Sequence, residues 1–362
     1  TWDDHEVDNN YAGLVEENGE DVDVFAARRR NAYQVYQESM PLGPGNEVLR
    51  GNGELRIYRS LPYGRLADIH ILDTRQYRTD QPAGDNFGST DQLSPVDAAT
   101  LEAVFGETLF DTDGILDPGA TLLGLKQEAW LARQLKQSKA NWNVLAQQIM
   151  ATQWNLVTTG RLSAQLGSFP NPLPPPVSAA LGELETLISV DAWDGYVAAR
   201  ERLFRIIDET DPSNPVVLTG DIHSSWAANL LSDFDDPASQ IVAAEFVCSS
   251  IASTFLALDP RPTHEIVRRG VEADNPHIEY FNGVFRGYAL CDVDYEEWIT
   301  TYRAVGDVAD LGSANPLAFV PFPGTPVETD AIMRIASGFR EANGRINNVF
   351  ARPMPDFLPF LP

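Results

Sequence analysis

NPVVLTGDIHSSW, residues 214–226, is an apolar and β-branched run that ends at a glycine and continues into a polar cluster. Such a run is typical of a buried strand in an α/β sheet. In extended chain, alternate side chains share a face, so we expect Asp221 and His223 to point the same way and Ile222 to point back into the core. Ligands of open α/β sheets gather at the carboxyl ends of strands. The Asp-x-His pair therefore predicts a metal site or, alternatively, a hydrogen-bonded pair without metal.

The segments on either side alternate between helical and extended patterns, which predicts an α/β layered fold in one compact domain. The predicted helices are VFAARRRNAYQVY (24–36), QEAWLARQLKQS (127–138) and WDGYVAARERLFRII (193–207). The predicted strands are GELRIYRS (53–60), LADIHILDTR (66–75), NWNVLAQQIM (141–150) and IVAAEFVCSS (241–250). We expect residues 277–294 to form a hairpin that turns at Asn282-Gly283, and residues 296–305 to extend its sheet.

Composition excludes several classes of partner. The 362 residues include 26 Lys+Arg against 52 Asp+Glu, a formal net charge of -26. Such a field repels nucleic acid and anionic lipid surfaces, so we expect no nucleic-acid binding surface. No run of about 18 apolar residues is present, which predicts no transmembrane segment. Cys248 and Cys291 lie in apolar, strand-like stretches, and we expect buried free thiols rather than a disulfide framework.

A second polar cluster, WDDHEVDNN, occupies residues 2–10. Its carboxylate, imidazole and amide groups suit calcium, magnesium, iron or zinc in a mixed site, and the alternative is a solvated acidic turn. Three consecutive arginines follow at residues 28–30 on a predicted helix. Guanidinium groups near a metal-competent cluster suit an anion such as phosphate, although Arg30 at least is expected to face solvent or to pair with nearby acids.

Several blocks, taken together and in order, resemble alkaline phosphatases of the PhoD type. These blocks are WDDHEVDNNYAG, ARRRNAYQVYQESMP, LDTRQYRTDQP, NWNVLAQQ, WDGY, LTGDIHSSW and FRGYALCDV. The resemblance implies a metallophosphoesterase-type four-layer sandwich, in which two mixed β-sheets are flanked by helices. It implies hydrolysis of phosphate monoesters and diesters with one Fe³⁺ and two Ca²⁺, in a secreted, periplasmic or cell-surface enzyme. Phospholipase D or phosphodiesterase activity on the same fold is the alternative.

The resemblance also implies metal-binding roles for individual residues. Asp221 matches the iron ligand of the family, and His223 matches a calcium ligand. Asn10 matches a calcium ligand that binds through its amide oxygen. Asp4 directly precedes a histidine, as metal-binding residues do in related phosphoesterases, whereas alternation would place Asp3 on the face of that histidine. Both aspartates are therefore retained as metal-ligand candidates.

Two catalytic roles follow from the same resemblance. His5 matches the histidine that contacts phosphate or protonates the leaving oxygen. Arg28 or Arg29 matches the arginine that binds phosphate and offsets charge on its oxygens. The chemistry implied is metal-assisted hydrolysis without a phosphoserine.

In the family, WDDHE is preceded by a separate domain and by strands that carry an iron-binding cysteine and tyrosine. Residues 1–362 are thus expected to be the C-terminal major part of a catalytic domain that is incomplete at its N-terminal side. We expect an N-terminal companion segment or chain to complete it, and strand Val216–Thr219 to lack neighbours without it. Alone, the chain could be a non-catalytic fragment that binds metal or a partner. Residues 325–343 are expected to form a helix with Ile332, Ile335 and Phe339 on its packing face. The resemblance implies that this helix is a lid over the metals, and the alternative is an ordinary surface helix docked for stability.

Overall fold

Helical and extended segments alternate along the chain as the sequence predicts. The computed structural model describes residues 1–16, 19–43, 53–82, 114–155, 191–251, 253, 255, 260–307, 327–340 and 344–353. Within them the α-helices are α1 (Val22–Ser39), α2 (Gly124–Gln137), α3 (Val197–Thr210) and α4 (Pro260–Asp274). The strands are β1 (Arg59–Tyr63), β2 (Ala67–Ile71), β3 (Trp142–Ala146), β4 (Pro215–Thr219), β5 (Ser225–Leu231), β6 (Ile241–Val247), β7 (Ile278–Asn282), β8 (Phe285–Val293), β9 (Glu297–Asp307), β10 (Glu328–Ala336) and β11 (Asn347–Ala351).

The larger sheet is mixed and has β4 near its centre. Its strand order is β1-β2-β3-β4-β6-β5-β7. Strands β2, β3, β4 and β6 are parallel, whereas β1, β5 and β7 run antiparallel to their neighbours. Val216 pairs with Val144 of β3 on one side and with Ala244 of β6 on the other. The expectation that β4 lacks neighbours was therefore wrong, because this chain supplies both of its partners.

The second sheet packs face to face on the first. Its described strands have the order β11-β10-β9-β8, and each neighbouring pair among them is antiparallel. Trp142 of the larger sheet meets Trp298 of the smaller one with ring centroids 5.7 Å apart, within one apolar cluster. Side chains of α2 and α3, among them Leu131 and Leu203, cover the opposite face of the larger sheet. The predicted α/β fold of two sheets and flanking helices is confirmed.

Residues 277–294 do not form the predicted hairpin. β7 belongs to the larger sheet and β8 to the smaller one. The side-chain oxygen of Asn282 accepts hydrogen bonds from the N–H groups of Val284 at 2.8 Å and Phe285 at 3.0 Å, which fixes the crossover between the sheets. Asn-Gly correctly marked a change of direction. The path of the chain after this point is determined by the pairing of β7 in the larger sheet and of β8 in the smaller one.

The prediction of a lid helix over residues 325–343 is also wrong for the residues 328–336 within it. Residues 328–336 form strand β10, which pairs with β9 and β11. Ala331, Met333 and Ile335 are buried in the core, while Arg334 and Ala336 are exposed. This two-residue alternation fits a strand, and sheet pairing on both sides outweighed the apolar spacing that suggested a helix. The proline-rich segment at 169–177 lies outside the described residues.

We expect Gly287→Ala to destabilise the fold, because Gly287 lets β8 approach β9 closely. A Cβ at this position would overlap the backbone carbonyl oxygen of Arg303. Overpacking of this kind costs about 1–3 kcal/mol, and a clash with backbone belongs at the upper end of that range. Urea unfolding measures the effect. Gly344→Ala is the matched control, since its Cβ would meet the nearest atom at an ordinary 3.5 Å. Equal stability of the two variants would contradict the prediction.

Candidate metal and phosphate site

The candidate site lies at the carboxyl ends of β2 and β4, where the N-terminal segment crosses them. The Thr1 hydroxyl donates to the carbonyl of Leu72 at 2.6 Å, directly after β2. The Trp2 indole N–H donates to Asp73 Oδ1 at 3.0 Å, and its ring stacks on Tyr33 of α1 at 4.1 Å. These contacts fix the backbone that carries the next two residues, the aspartates of WDDHE.

Three carboxylates from distant parts of the sequence meet here. Asp3, Asp4 and Asp221 each offer an oxygen, and these oxygens all lie within 4.8 Å of one another. Both aspartates between which the sequence did not decide thus belong to one cluster. No other group of three or more His, Cys, Asp or Glu side chains with metal-ligand spacing occurs among the residues that the structure describes.

The cluster concentrates negative charge in a buried setting. Burial acts to raise the pKa of Asp4, but the Arg75 guanidinium and the Asn10 N–H, 2.8 Å from Oδ2, outweigh it and hold the pKa at about 2. Burial and the charge of Asp4 raise the pKa of Asp3 to about 6. Burial and the charge of Asp3 raise the pKa of Asp221 well above its usual range. A cation between these groups would relieve both their desolvation and their mutual repulsion.

Arg75 is the site residue that sequence reasoning missed. It is fully buried and binds Asp191 through two hydrogen bonds of 2.8 and 2.6 Å. Its guanidinium also lies 3.8 Å from Asp4 and 3.9 Å from Asp221. Arg75 therefore links Asp4 and Asp221 of the cluster to Asp191, a carboxylate outside the cluster. Asp191 also lies 2.9 Å from Arg78. Its position directly after strand β2 was a usable signal, since β2 and β4 are parallel and end at the same edge.

The Asp-x-His segment is not extended, so the alternation argument for it was wrong. β4 ends at Thr219, and Asp221 and His223 have φ angles of 68° and 58°. The Ile222 N–H donates to the Gly220 carbonyl at 2.8 Å, and the Ile222 side chain is half-buried rather than in the core. Left-handed backbone at non-glycine residues is strained and clusters at functional sites.

The surroundings of His223 differ from those of Asp221. Within the described residues, His223 is not a member of the three-carboxylate cluster. Its carbonyl accepts hydrogen bonds from the Ser249 hydroxyl at 3.2 Å and from Arg286 Nη1 at 3.2 Å. Arg286 is buried, which lowers its pKa to about 10. The role of His223 as a calcium ligand stays a prediction.

Two further candidates flank the cluster. Asn10 is buried with a φ of 48°, and its carbonyl accepts from Gln81 Nε2 at 2.8 Å while its N–H binds Asp4. His5 is exposed and directly follows Asp4 in the chain. Both residues border the carboxylates, as the resemblance implies, and their ligand and proton-donor roles remain predictions.

The two candidate arginines of α1 differ in their surroundings. Arg28 is exposed and forms ion pairs with Asp8 at 3.0 Å and Glu20 at 2.7 Å. Arg29 is buried, donates to the Gly13 carbonyl and lies over the Tyr33 ring at 5.4 Å. In the part of the chain that is described, neither forms an ion pair with the acidic cluster. Of the two, Arg28 has the more accessible guanidinium, and its phosphate-binding role remains a prediction.

Both cysteines are free thiols, as the sequence predicted. Burial raises the pKa values of Cys248 and Cys291, which keeps them protonated near neutral pH. A protonated thiol is a poor metal ligand. Among the described residues, no helix combines the length and the apolar content needed to cross a membrane.

Comparisons with known proteins agree with this architecture. The family described as "PhoD-like phosphatase" matches residues 1–302. Alkaline phosphatase D of Bacillus subtilis (strain 168) is 39% identical over 315 residues, which cover 87% of this chain and 45% of that protein. A solved structure titled "Structure of PhoD" superposes with a TM-score of 0.71 at 35% identity, covering 98% of this chain and 55% of the other. The chain thus spans about half the length of the relatives it matches. By the extent of the family match, this chain belongs to the PhoD-like phosphatases.

Proposed function

We propose that this chain takes part in metal-assisted hydrolysis of phosphate monoesters and diesters. The observation that carries the proposal is the convergence of Asp3, Asp4 and Asp221 on one point beside the buried Arg75. Family membership supports the reaction class, and the strand-end position is where α/β enzymes bind their ligands. Secretion or a cell-surface location is proposed from the same resemblance.

The residues present fit a hard cation. All three donors of the cluster are carboxylates, the ligand type that Ca²⁺ prefers and that iron also accepts. Asp4 Oδ1 is buried and has no hydrogen-bond partner, so it has a lone pair to offer. We propose that Asp3, Asp4 and Asp221 hold part of a centre of Fe³⁺ and two Ca²⁺, with Asn10 and His223 nearby. When bound, such cations act as Lewis acids and lower the pKa of water.

Two protein side chains are proposed to act on the phosphate itself. The ion pairs of Arg28 are partly exposed, and such pairs contribute little stability, so the guanidinium can exchange its carboxylates for phosphate oxygens. His5, exposed beside Asp4, would donate a proton to the leaving oxygen. Arg75 is buried and acts differently, since it holds Asp4 and Asp221 in place without reaching the substrate.

A companion segment or chain is part of the proposal. It would add the iron-binding cysteine and tyrosine that the resemblance implies, because the described cluster contains carboxylates alone. Reconstitution tests this directly. The chain alone and the chain with a co-expressed upstream segment are each loaded with Fe³⁺ and Ca²⁺, and bound metal is counted by mass spectrometry. Calcium binding by the isolated chain, with iron retained only in the pair, would support the assignment.

Substrate class is tested on the same preparations. We expect hydrolysis of p-nitrophenyl phosphate and of bis-p-nitrophenyl phosphate, and loss of both after chelation and return after metal addition. Phosphatidylcholine separates a phospholipase D from a general phosphoesterase. A chain that binds cations but hydrolyses none of the three, with or without its companion, would be a non-catalytic fragment and would overturn the proposal.

We expect His5→Ala to retain metal and to slow turnover in a manner that depends on the leaving group. General acid catalysis is worth about 100–10,000-fold, and a good leaving group needs less of it. The rate should therefore fall less for p-nitrophenyl phosphate than for an alkyl phosphate. The measurement is kcat for both substrates alongside metal content. An equal loss on both substrates would show that His5 acts in another way.

A further inference from the structure

A groove on the flank of the larger sheet lies between α2 and the segment that leads into β1. It has a volume of about 430 Å³, within the range of small-molecule sites. Its lining residues are Arg56, Tyr58, Leu125, Lys126, Ala129, Trp130 and Arg133. None of these belongs to the acidic cluster. The groove therefore has its own chemistry, and it is cationic, aromatic and apolar at once.

Its three cations lie together along one groove of a chain that is rich in acidic residues. Within the described residues, Arg56, Lys126 and Arg133 have no carboxylate within ion-pair distance. The chain has twice as many acidic as basic residues, and some arginines elsewhere form ion pairs with them. Arg28, for example, pairs with Glu20 at 2.7 Å. The reason at this groove is local. Glu128, on the same helix as Lys126 and Arg133, is taken by Arg202 at 3.2 Å and by the Thr121 hydroxyl at 2.7 Å.

The aromatic side of the groove is formed by side chains that pack on one another. Trp130 is 9% exposed and contacts the Tyr58 ring with centroids 5.0 Å apart. The Arg56 guanidinium lies over the Tyr58 ring at 4.4 Å. Because the guanidinium covers one face of the phenol ring, the surface presented to a further ring is the exposed outer face of Arg56. Leu125, 72% exposed, adds an apolar rim on the helix side.

We propose that this groove binds an organic phosphate of the nucleotide class, with a flat ring against Arg56 and Tyr58 and the phosphate at Lys126 and Arg133. One ligand of this kind satisfies both features, since it brings an anion to Lys126 and Arg133 and a ring to the outer face of Arg56. A small anion is needed rather than a nucleic acid, because a polyanion would also meet the field of a body with a net charge of -26. The site is separate from the proposed catalytic centre.

Titration calorimetry with adenosine 5′-methylenephosphonate, a hydrolysis-resistant probe, tests the proposal on the whole chain. We expect saturable binding to the unaltered protein. Adenosine and inorganic phosphate, each offering one half of the ligand, should bind at least about tenfold more weakly. The variant Lys126→Gln/Arg133→Gln should also lose at least about tenfold, because it removes both charge-assisted hydrogen bonds.

The matched control is Lys136→Gln/Lys139→Gln, which removes the same charge from the last turn of the helix and from the segment just beyond it, at residues that do not line the groove. It should bind the probe as the unaltered chain does. Phosphatase activity serves as a second readout and should be unchanged in both variants, since neither touches the acidic cluster. Absence of saturable binding, or equal weakening in the two variants, would overturn the assignment. Binding that persists in Lys126→Gln/Arg133→Gln would place the probe elsewhere and would also reject it.

Discussion

Asp221→Asn should abolish metal-dependent turnover while making the metal-free protein more stable. Removing one electrostatic stabiliser typically costs about 100–1,000-fold in rate, and losing a metal ligand should cost at least as much. Asparagine keeps the shape of the side chain and tolerates the left-handed backbone, with its φ of 68°, better than alanine would. The lost activity can therefore be assigned to the charge and not to a distorted loop.

The gain in stability follows from the sign of the pKa shift. Burial and the charge of Asp3 raise the pKa of Asp221 in the folded protein. Above the unfolded pKa of an aspartate, keeping that carboxylate ionised in the native state opposes folding. Asparagine is never ionised, so replacing Asp221 with asparagine removes this unfavourable contribution to the free energy of folding at neutral pH. A higher melting temperature of the metal-free variant, together with lost metal and lost activity, is the expected combination.

Two controls make this prediction sharp. Asp292→Asn removes a carboxylate from an exposed position on β8 and should change neither metal content nor rate. Metal content is measured by mass spectrometry after dialysis, independently of activity. Full metal occupancy and a near-normal rate in Asp221→Asn would remove Asp221 from the site.

Arg75→Met should be the most destabilising single substitution at this edge of the sheet. Arg75 is fully buried and neutralises Asp191 by two hydrogen bonds, with Asp4 and Asp221 within 4 Å. Removing one partner of a buried ion pair costs about 3–5 kcal/mol, because it leaves buried charge uncompensated. Here the Arg78 side chain, 2.9 Å from Asp191, would compensate only part of it. Urea unfolding of the metal-free protein measures the loss.

Two companion variants separate charge from packing. Arg75→Lys retains the positive charge but cannot make the paired hydrogen bonds, so we expect an intermediate loss. Arg75→Met/Asp191→Leu removes both charged groups and should recover part of the stability that Arg75→Met loses. If Arg75→Met unfolds at the same urea concentration as the unaltered chain, Arg75 does not hold this edge together.

The local sequence pattern was sufficient to predict several of the helices and strands. The apolar run at 214–226 predicted β4, and the helical spacing at 24–36 and 127–138 predicted α1 and α2. Pattern was not sufficient at the C-terminal end of the chain. Residues 328–336 have apolar spacing that fits a helix or a strand, and pairing with β9 and β11 decided between them. Sheet pairing is non-local, so no window of sequence contains it.

The same division holds at the site. The sequence alone identified Asp221 at the end of a predicted strand, and it identified Asp3 and Asp4 from the polar cluster WDDHEVDNN and from the family resemblance. The tertiary structure alone joined Arg75 to Asp191 across 116 residues, bent the chain after β4 away from the extended path, and gathered three cations in the groove beside Tyr58. The physical reason is that charge pairing and loop geometry depend on distances between segments. Hydrophobic periodicity is different, because it is contained within each segment and can be read without its neighbours.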